Sequence, residues 1–472
     1  MEFGFDSYLS PFTWRYASSE MRGIFSEKNN RLNWRRIWVA LAKSQKELGL
    51  VTGEELKDLE AHWKEVDITK SLVKEKEIRH DLMAELLTFS GQCKVGGGKI
   101  HLGATSMDIE DNAEVMRQKQ ALMLIEKRLS GLLFALSTLI KKYADFPCLA
   151  FTHLQPAEPT TIGYRFTVYA QDFYQELIAL EEFTKNIRGK GMKGAVGTSA
   201  SYLRLSKDAE AMEDKVMNEI GLKAFDATGQ TYPRTQDYEL CCRLSAIAAS
   251  LHKMAFDFRV LQSPMYGELS EPFKEKQVGS SAMPFKRNPI SAERICSLSR
   301  LVSSTPQLAW DNAANSLLER TLDDSANKRV FIPEAFLALD ECLMLANKVV
   351  NGLSVNLNAV EKNLGTYAPF SATEPILLEL VQKGLNRQEM HELLREYSMQ
   401  AWKEVQEGKE NPLKKLLSND TKIKKAISPQ LLNGLFNVSK HTGNAGKKAA
   451  EIAASIDRKI SGVKIEKTEA GF

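Results

Sequence analysis

"DNAEVMRQKQALMLIEKRLSGLLFALSTLIKKYAD", Asp111 to Asp145, has no proline, and Gly131 is its one weak point as a helix. Apolar residues recur at spacings of three and four, which predicts one continuous helix of roughly 50 Å at ~1.5 Å per residue. Much of its circumference is apolar, so it needs helices on several sides. Two further runs have the same character, at about 160–186 and about 236–262, the latter containing "CCRLSAIAASLHKMAFDFRVLQ". More follow Pro289 and Ser325. Helices of this length and apolarity are buried most simply in a bundle assembled between subunits, so the expected fold is all-α.

Composition narrows the function. The chain has 472 residues, 43% hydrophobic and 26% charged, ordinary for a soluble globular protein and against global disorder. Lys plus Arg is 63 against Asp plus Glu at 60, a net charge of +3, which is no nucleic-acid footprint. "MEFGFDSYLS" shows no secretory signal, and no apolar run approaches the ~20 residues that span a bilayer. The six cysteines form no CxxC pair and read as reduced, packed thiols of a cytoplasmic protein. The seven histidines form no HExxH or other ligand cluster, so no metal is expected.

Between the helices lie "KIHLGATSMD", "FTHLQPAEPT", "RGKGMKGAVGTSAS", "TGQTYPRTQ", "GSSAMPFKRNP" and "ERTLDDSANKR", each rich in turn residues or charge. Three mostly helical domains are expected: 1–106, 107–356 carrying the central long-helix bundle, and a tail of shorter helices at 357–472. "RGKGMKGAVG" lacks GxxxxGK[ST] and follows a helix, so a nucleotide-triphosphatase loop is rejected.

The loops carry the chemistry. In "GSSAMPFKRNP" (279–289), small residues precede Lys286, Arg287 and Asn288, donors suited to oxyanions, and Pro289 is placed to open a helix capped by Asn288. A lid hinged onto a cationic helix start and a plain mobile loop both fit. His153, in "FTHLQPAEP", is either a proton donor or a histidine bonded in a loop. His80, between Arg79 and Asp81, is also read as part of a surface charge cluster. Thr105 and Ser106 bind an anion or simply cap the helix that follows. Ser325 and Arg329, four apart, share a helix face if the helix starts near Asp324. With Arg320 they form an oxyanion site or a solvated ion-pair network with Asp323 and Asp324.

Together, these motifs resemble the fumarase/aspartase superfamily. "GSSAMPFKRNP" is similar to its signature loop, SSxMPxKxNP, while "RHDLMAE", "IHLGATS", "FTHLQPA", "TGQTY" and "ERTLDDSAN" resemble the adenylosuccinate lyase family within it. The likeness runs from about Arg15 to at least Ala372. It implies three helical domains, a homotetramer with active sites shared by three subunits, and no cofactor. It implies β-elimination of fumarate from adenylosuccinate and from succinylaminoimidazole carboxamide ribotide, with nucleotides as the only partners besides copies of the chain. By motif position it makes Ser280 the general base and His153 the general acid, supported by His80, Lys286 and Glu293. Arg15, Tyr16, Arg79, Asp81, Thr105, Ser106, Thr152, Gln230, Asn288, Arg294, Arg320, Ser325 and Arg329 would hold substrate. Pro333 departs from the expected uninterrupted helix after "ERTLDDSANKR" and predicts a kink. The alternatives are a sister enzyme such as argininosuccinate lyase, against which "TGQTY" and "ERTLDDSAN" weigh, or a non-catalytic homologue.

Overall fold

The computed structural model describes residues 4–274, 276–437 and 440–463. Residues 1–3 of the expected first domain and 464–472 of the third therefore lie outside the described residues. The N-terminal part contains α1 (Ser19–Ile24), α2 (Glu27–Glu47), α3 (Gly53–His62), α4 (Ile68–Ile78) and α5 (Asp81–Gln92). The long helix α6 (Ser106–Lys142) follows, then a hairpin of β1 (Pro147–Thr152) and β2 (Gln155–Thr161), then α7 (Ile162–Asn186). After β3 (Arg188–Gly189), α8 (Ala200–Leu203), α9 (Ala209–Ile220) and β4 (Lys223–Ala224) comes α10 (Thr235–Gln262). Next are β5 (Leu269–Ser270), α11 (Ile290–Ala314), α12 (Asp323–Asn351) and β6 (Ser354–Val355). Shorter helices close the chain: α13 (Leu357–Ser371), α14 (Thr373–Gln382), α15 (Arg387–Gln406), α16 (Leu413–Asn419), α17 (Thr421–Ala426), α18 (Pro429–Leu435) and α19 (Ala445–Lys459).

Among the described residues the fold is all-helical apart from three two-stranded pairs. Helices α6, α7, α10, α11 and α12 form the bundle, α6 packing on α7 and α12, and α10 on α11. Leu122, Ile125, Leu129, Leu132, Leu133 and Leu136 of α6 are all fully buried. Each such side chain contributes about 1.5–3 kcal/mol relative to exposure, which is how an apolar circumference becomes a bundle. A second core, including Ile376, Leu380, Met390, Leu394, Leu413 and Leu417, holds α14–α18 together. Helix α19 returns to α6 and α7, where Ser137 Oγ donates to Asp457 at 2.7 Å and Lys459 pairs with Glu181.

Pro333 lies inside α12, and the helix continues past it, from Asp323 to Asn351. Its neighbours Phe331, Ile332 and Phe336 are buried, and that packing outweighs one lost backbone bond. "FTHLQPAEPT" is no mere turn but the tip and return strand of the hairpin, Thr152 pairing with Gln155. Pro156 and Pro159 are tolerated because a two-stranded ladder leaves each strand with a free edge. Pro289 occupies the cap position rather than the first turn of α11, and Asn288 does not cap it: its amide donates to Gly279 O at 3.1 Å. The helix amides of Ser291 and Ala292 are taken instead by Glu271, each at 3.1 Å. No helix among the described residues is long and apolar enough to cross a membrane. All six cysteines are free thiols, and all but Cys242 are buried.

Candidate active site

The ends of four helices and one turn enclose a cavity of about 730 Å³. Arg79 closes α4 in the left-handed conformation (φ 58°), and His80 caps α5. Thr105 and Ser106 begin α6, Gln230 comes from the "TGQTY" turn, and Arg320, Ser325 and Arg329 come from the start of α12. All of these residues, with Asp81, line the one cavity. The turn reaches α12 by a close backbone approach: Gln230 N donates to Glu319 O at 2.9 Å, and a Cβ on Gly229 would sit 2.6 Å from that oxygen. Only glycine fits there.

His80 Nδ1 accepts the Met83 amide at 3.4 Å, so the neutral ring carries its proton on Nε2 and points it at Ser106 Oγ, also 3.4 Å away. Burial would raise the Asp81 carboxyl, but the bond and charge of Arg329, 2.7 Å away, outweigh it and hold Asp81 below its ordinary range. Thr105 occupies the cap position of α6 and also faces the cavity, so the capping and binding readings describe one residue. Its amide donates to Asp108 at 3.0 Å.

Sequence reading missed the buried frame behind these residues. Asp108 is fully buried and takes bonds from Lys190, the amides of Lys193 and Gly194, and Tyr202 Oη. The glycine-rich loop is thus a clamp on the start of α6. Arg234 donates to Asp324 at 2.7 Å and to Asp111 at 3.1 Å, and Asp324 in turn holds Arg320 at 3.1 Å. Apart from the Arg320–Asp324 pair, four residues apart, these partners lie 82–123 residues apart, and no local spacing reveals them. His101 is structural: it accepts from Trp38 Nε1 at 3.0 Å, and burial pushes it down to about 4.

The same cavity holds Glu110, which burial first and the charge of Asp81 second push up to about 8. The unfolded carboxyl ionises near 4.5. Between these values the folded state binds the extra proton, so stability falls as pH rises from 4.5 to about 8. Glu110→Gln is therefore expected to stabilise the fold, with a gain growing across that window and level above it. Urea midpoints of both proteins across the window check this, and a constant difference would contradict it.

The remaining candidates lie elsewhere on the chain. His153 and Leu154 form the two-residue hairpin turn, both with positive φ (54° and 59°) and both exposed. Neither is glycine or asparagine, so the tip is strained, a feature that gathers at functional sites. Thr152 precedes it, and Tyr266 Oη donates to Leu154 O at 3.1 Å from beyond the end of α10. In the signature loop, Ser280 Oγ accepts the amides of Ala282 (3.4 Å) and Met283 (3.1 Å), donors that favour an oxygen carrying negative charge. Gly279 serves closure more than freedom, because a Cβ there would sit 2.2 Å from Lys286 O. Lys286 is exposed, its ammonium unpartnered among the described residues, and Glu293 is exposed in the first turn of α11. Arg15 and Arg294 both stack against the Tyr16 ring, and Arg294 reaches Glu341 at 3.3 Å. Glu341 is twelve residues beyond Arg329 on α12, roughly 18 Å at about 1.5 Å per residue. His153, Ser280, Lys286, Arg15 and Arg294 thus all lie outside the lining of the cavity.

Asp58, His62 and Cys93 offer ligand atoms within 4.8 Å of one another. Asp58 accepts the amides of Val95 at 2.7 Å and Gly96 at 2.9 Å, and burial pushes the Cys93 thiol up to about 12.

Comparison with known proteins supplies the family. A lyase family model matches residues 14–303, and a model of the adenylosuccinate lyase C-terminus matches 369–452. The chain is 41% identical to the adenylosuccinate lyase of Schistosoma mansoni over 425 residues, 88% of each chain. It is 40% identical to that of Saccharomyces cerevisiae over 426 residues, again 88% of each. A fumarate lyase structure from Mesorhizobium sp. BNC1 superposes with TM-score 0.83 at 23% identity, covering 95% of this chain and 99% of the other, which establishes the shared fold. With both family models and close relatives matching almost its whole length, the chain belongs to the adenylosuccinate lyase family.

Proposed function

We infer that this chain eliminates fumarate from adenylosuccinate, giving AMP, by general acid–base catalysis at a site completed between copies of the chain. The activity is that of its family. The carrying observation for the shared site is the separation just described. The 730 Å³ cavity gathers the anion-binding candidates, whereas His153 and Ser280 stand outside it on exposed segments. A homotetramer is supported by Met123, Phe134, Val168, Phe256 and Trp310, large apolar side chains exposed on the bundle helices. The three domains of the sequence reading and a cytoplasmic setting belong to the same proposal, the latter supported by the six free thiols.

The proposed chemistry follows from charge. The proton removed lies on carbon beside a carboxylate, and its loss places a second negative charge there. Lys286, exposed and unpartnered, supplies the compensating cation. Ser280 is a poor base as a hydroxyl, and the two amides at its Oγ stabilise the alkoxide it must become. His153 protonates the leaving nitrogen from the opposite side. Arg320, Ser325 and Arg329, with the positive end of α12, hold the phosphate, while Thr105 and Ser106 receive a carboxylate at the start of α6. The same groups fit succinylaminoimidazole carboxamide ribotide, which shares the phosphate and succinyl ends. An absorbance assay with adenylosuccinate, argininosuccinate and aspartate side by side tests the reading. Turnover of the first alone is expected, and turnover of another in its place overturns it.

Residues 281–287 are exposed, so the loop has little apolar anchorage in the unliganded chain. Substrate carboxylates would supply partners for Lys286 and draw it closed. Hydrogen exchange across 264–288 is expected to slow when AMP and fumarate are added. Maximal protection without ligand would mean a preformed site.

A further inference from the structure

Glu110 is the acid of the cavity that the mechanism leaves unused. It stands one helical turn after Ser106 on α6, so the two side chains share a face and both line the cavity. Its acidic neighbours have cations: Asp81 has Arg329, Asp111 and Asp324 share Arg234, and Glu114 has Arg117. No ion pair to Glu110 exists among the described residues.

We propose that Glu110 is a ligand-binding residue that acts in its protonated form, donating its hydroxyl proton to an oxygen of the nucleotide phosphate held beside Arg329. The proposal rests on the reading of this cavity as the nucleotide site. As an ionised carboxylate, Glu110 would repel a phosphate dianion and compete with it for Arg329. As a carboxylic acid it adds a donor where Arg329 is already half neutralised by Asp81. A neutral acid is what the site provides near pH 7, since burial and Asp81 push this carboxyl up to about 8.

The surrounding charges bear on that titration from every side. From α4 come Glu75 and Arg79, from α5 His80 and Asp81, and from α2 Glu27. Helix α12 brings Asp324, Lys328 and Arg329, Arg320 and Arg234 flank it, and α6 itself adds Asp111, Glu114 and Arg117. Burial raises the Glu110 carboxyl most. Of these groups, Asp81 raises it by its charge and by a side-chain hydrogen bond, Asp111 raises it and Arg329 lowers it, so a phosphate must take the Glu110 proton over from Asp81. A bound phosphate adds further negative charge, so binding above about pH 8 must take up a proton.

Calorimetric titration of the full-length protein with AMP, in buffers of differing ionisation enthalpy from about pH 7 to about pH 9.5, tests this. The AMP phosphate, with a second pKa of about 6, stays a dianion throughout. For wild type, Kd is expected to be level to about pH 8 and then to rise towards tenfold per pH unit, with proton uptake approaching one. Glu110→Gln should keep its pH 7 affinity within a few-fold and lose both the rise and the uptake. Glu110→Ala should bind roughly 5- to 10-fold more weakly at pH 7, the worth of one hydrogen bond, and also lose the pH dependence. An unchanged rise in Glu110→Gln, or Glu110→Ala binding as tightly as wild type at pH 7, overturns the inference. No AMP binding by wild type overturns the cavity reading itself and the inference with it.

Discussion

Replacing His153 with glutamine should lower kcat by about 100- to 10,000-fold, the range general acid–base groups supply. The residue is exposed on the hairpin tip and its ring makes no hydrogen bond or ion pair among the described residues, so the loss should come without loss of stability. The nucleotide half is expected to bind normally, because the anion-binding candidates lie in the separate cavity. Steady-state kinetics and a thermal melt on the same preparation check both halves. Near-wild-type turnover from a correctly folded variant would show that another group protonates the leaving nitrogen.

Asp108→Ala should fail in the opposite way, through the fold. It removes the partner of the buried Lys190 ammonium and leaves the amides of Lys193 and Gly194 and the Tyr202 hydroxyl without an acceptor. Breaking one side of a buried ion pair typically costs about 3–5 kcal/mol. The urea midpoint should fall accordingly, and the start of α6, which presents Thr105 and Ser106, should lose definition. Asp108→Asn, which keeps the shape and some acceptor capacity, should cost less. Equal, small effects of both substitutions would mean that the glycine-rich loop is held by other contacts.

These two residues mark what was and was not legible in the sequence. The long helices could be read because a proline-free apolar periodicity admits few alternatives, and α6 spans Ser106 to Lys142 much as its pattern predicts. His153, Ser280 and Lys286 stood out because reactive side chains sat among turn residues. The hairpin did not, since Pro156 and Pro159 hide a strand that survives only because its ladder is two-stranded. Glu271 was equally hidden. It lies well before α11 in the chain, yet it caps that helix where the adjacent Asn288 was expected to. Asp108 and Arg234 look like ordinary surface charges until folding brings their partners from distant segments. Glu110 reads as one of several helix acids, and only the surrounding cavity sets it apart. Local chemistry is written in adjacent residues, whereas the frame that aims it is written in tertiary contacts.

The central claim is that acid, base and binding cavity meet only when copies of the chain assemble. Mixing inactive His153→Gln with inactive Ser280→Ala under subunit exchange tests it most directly. Some sites in the hybrids would then draw an intact histidine and an intact serine from different chains. Activity well above either parent, appearing in step with hybrid formation, is the expected result. Fully formed hybrids that stay as inactive as their parents would contradict the supply of acid and base by different chains.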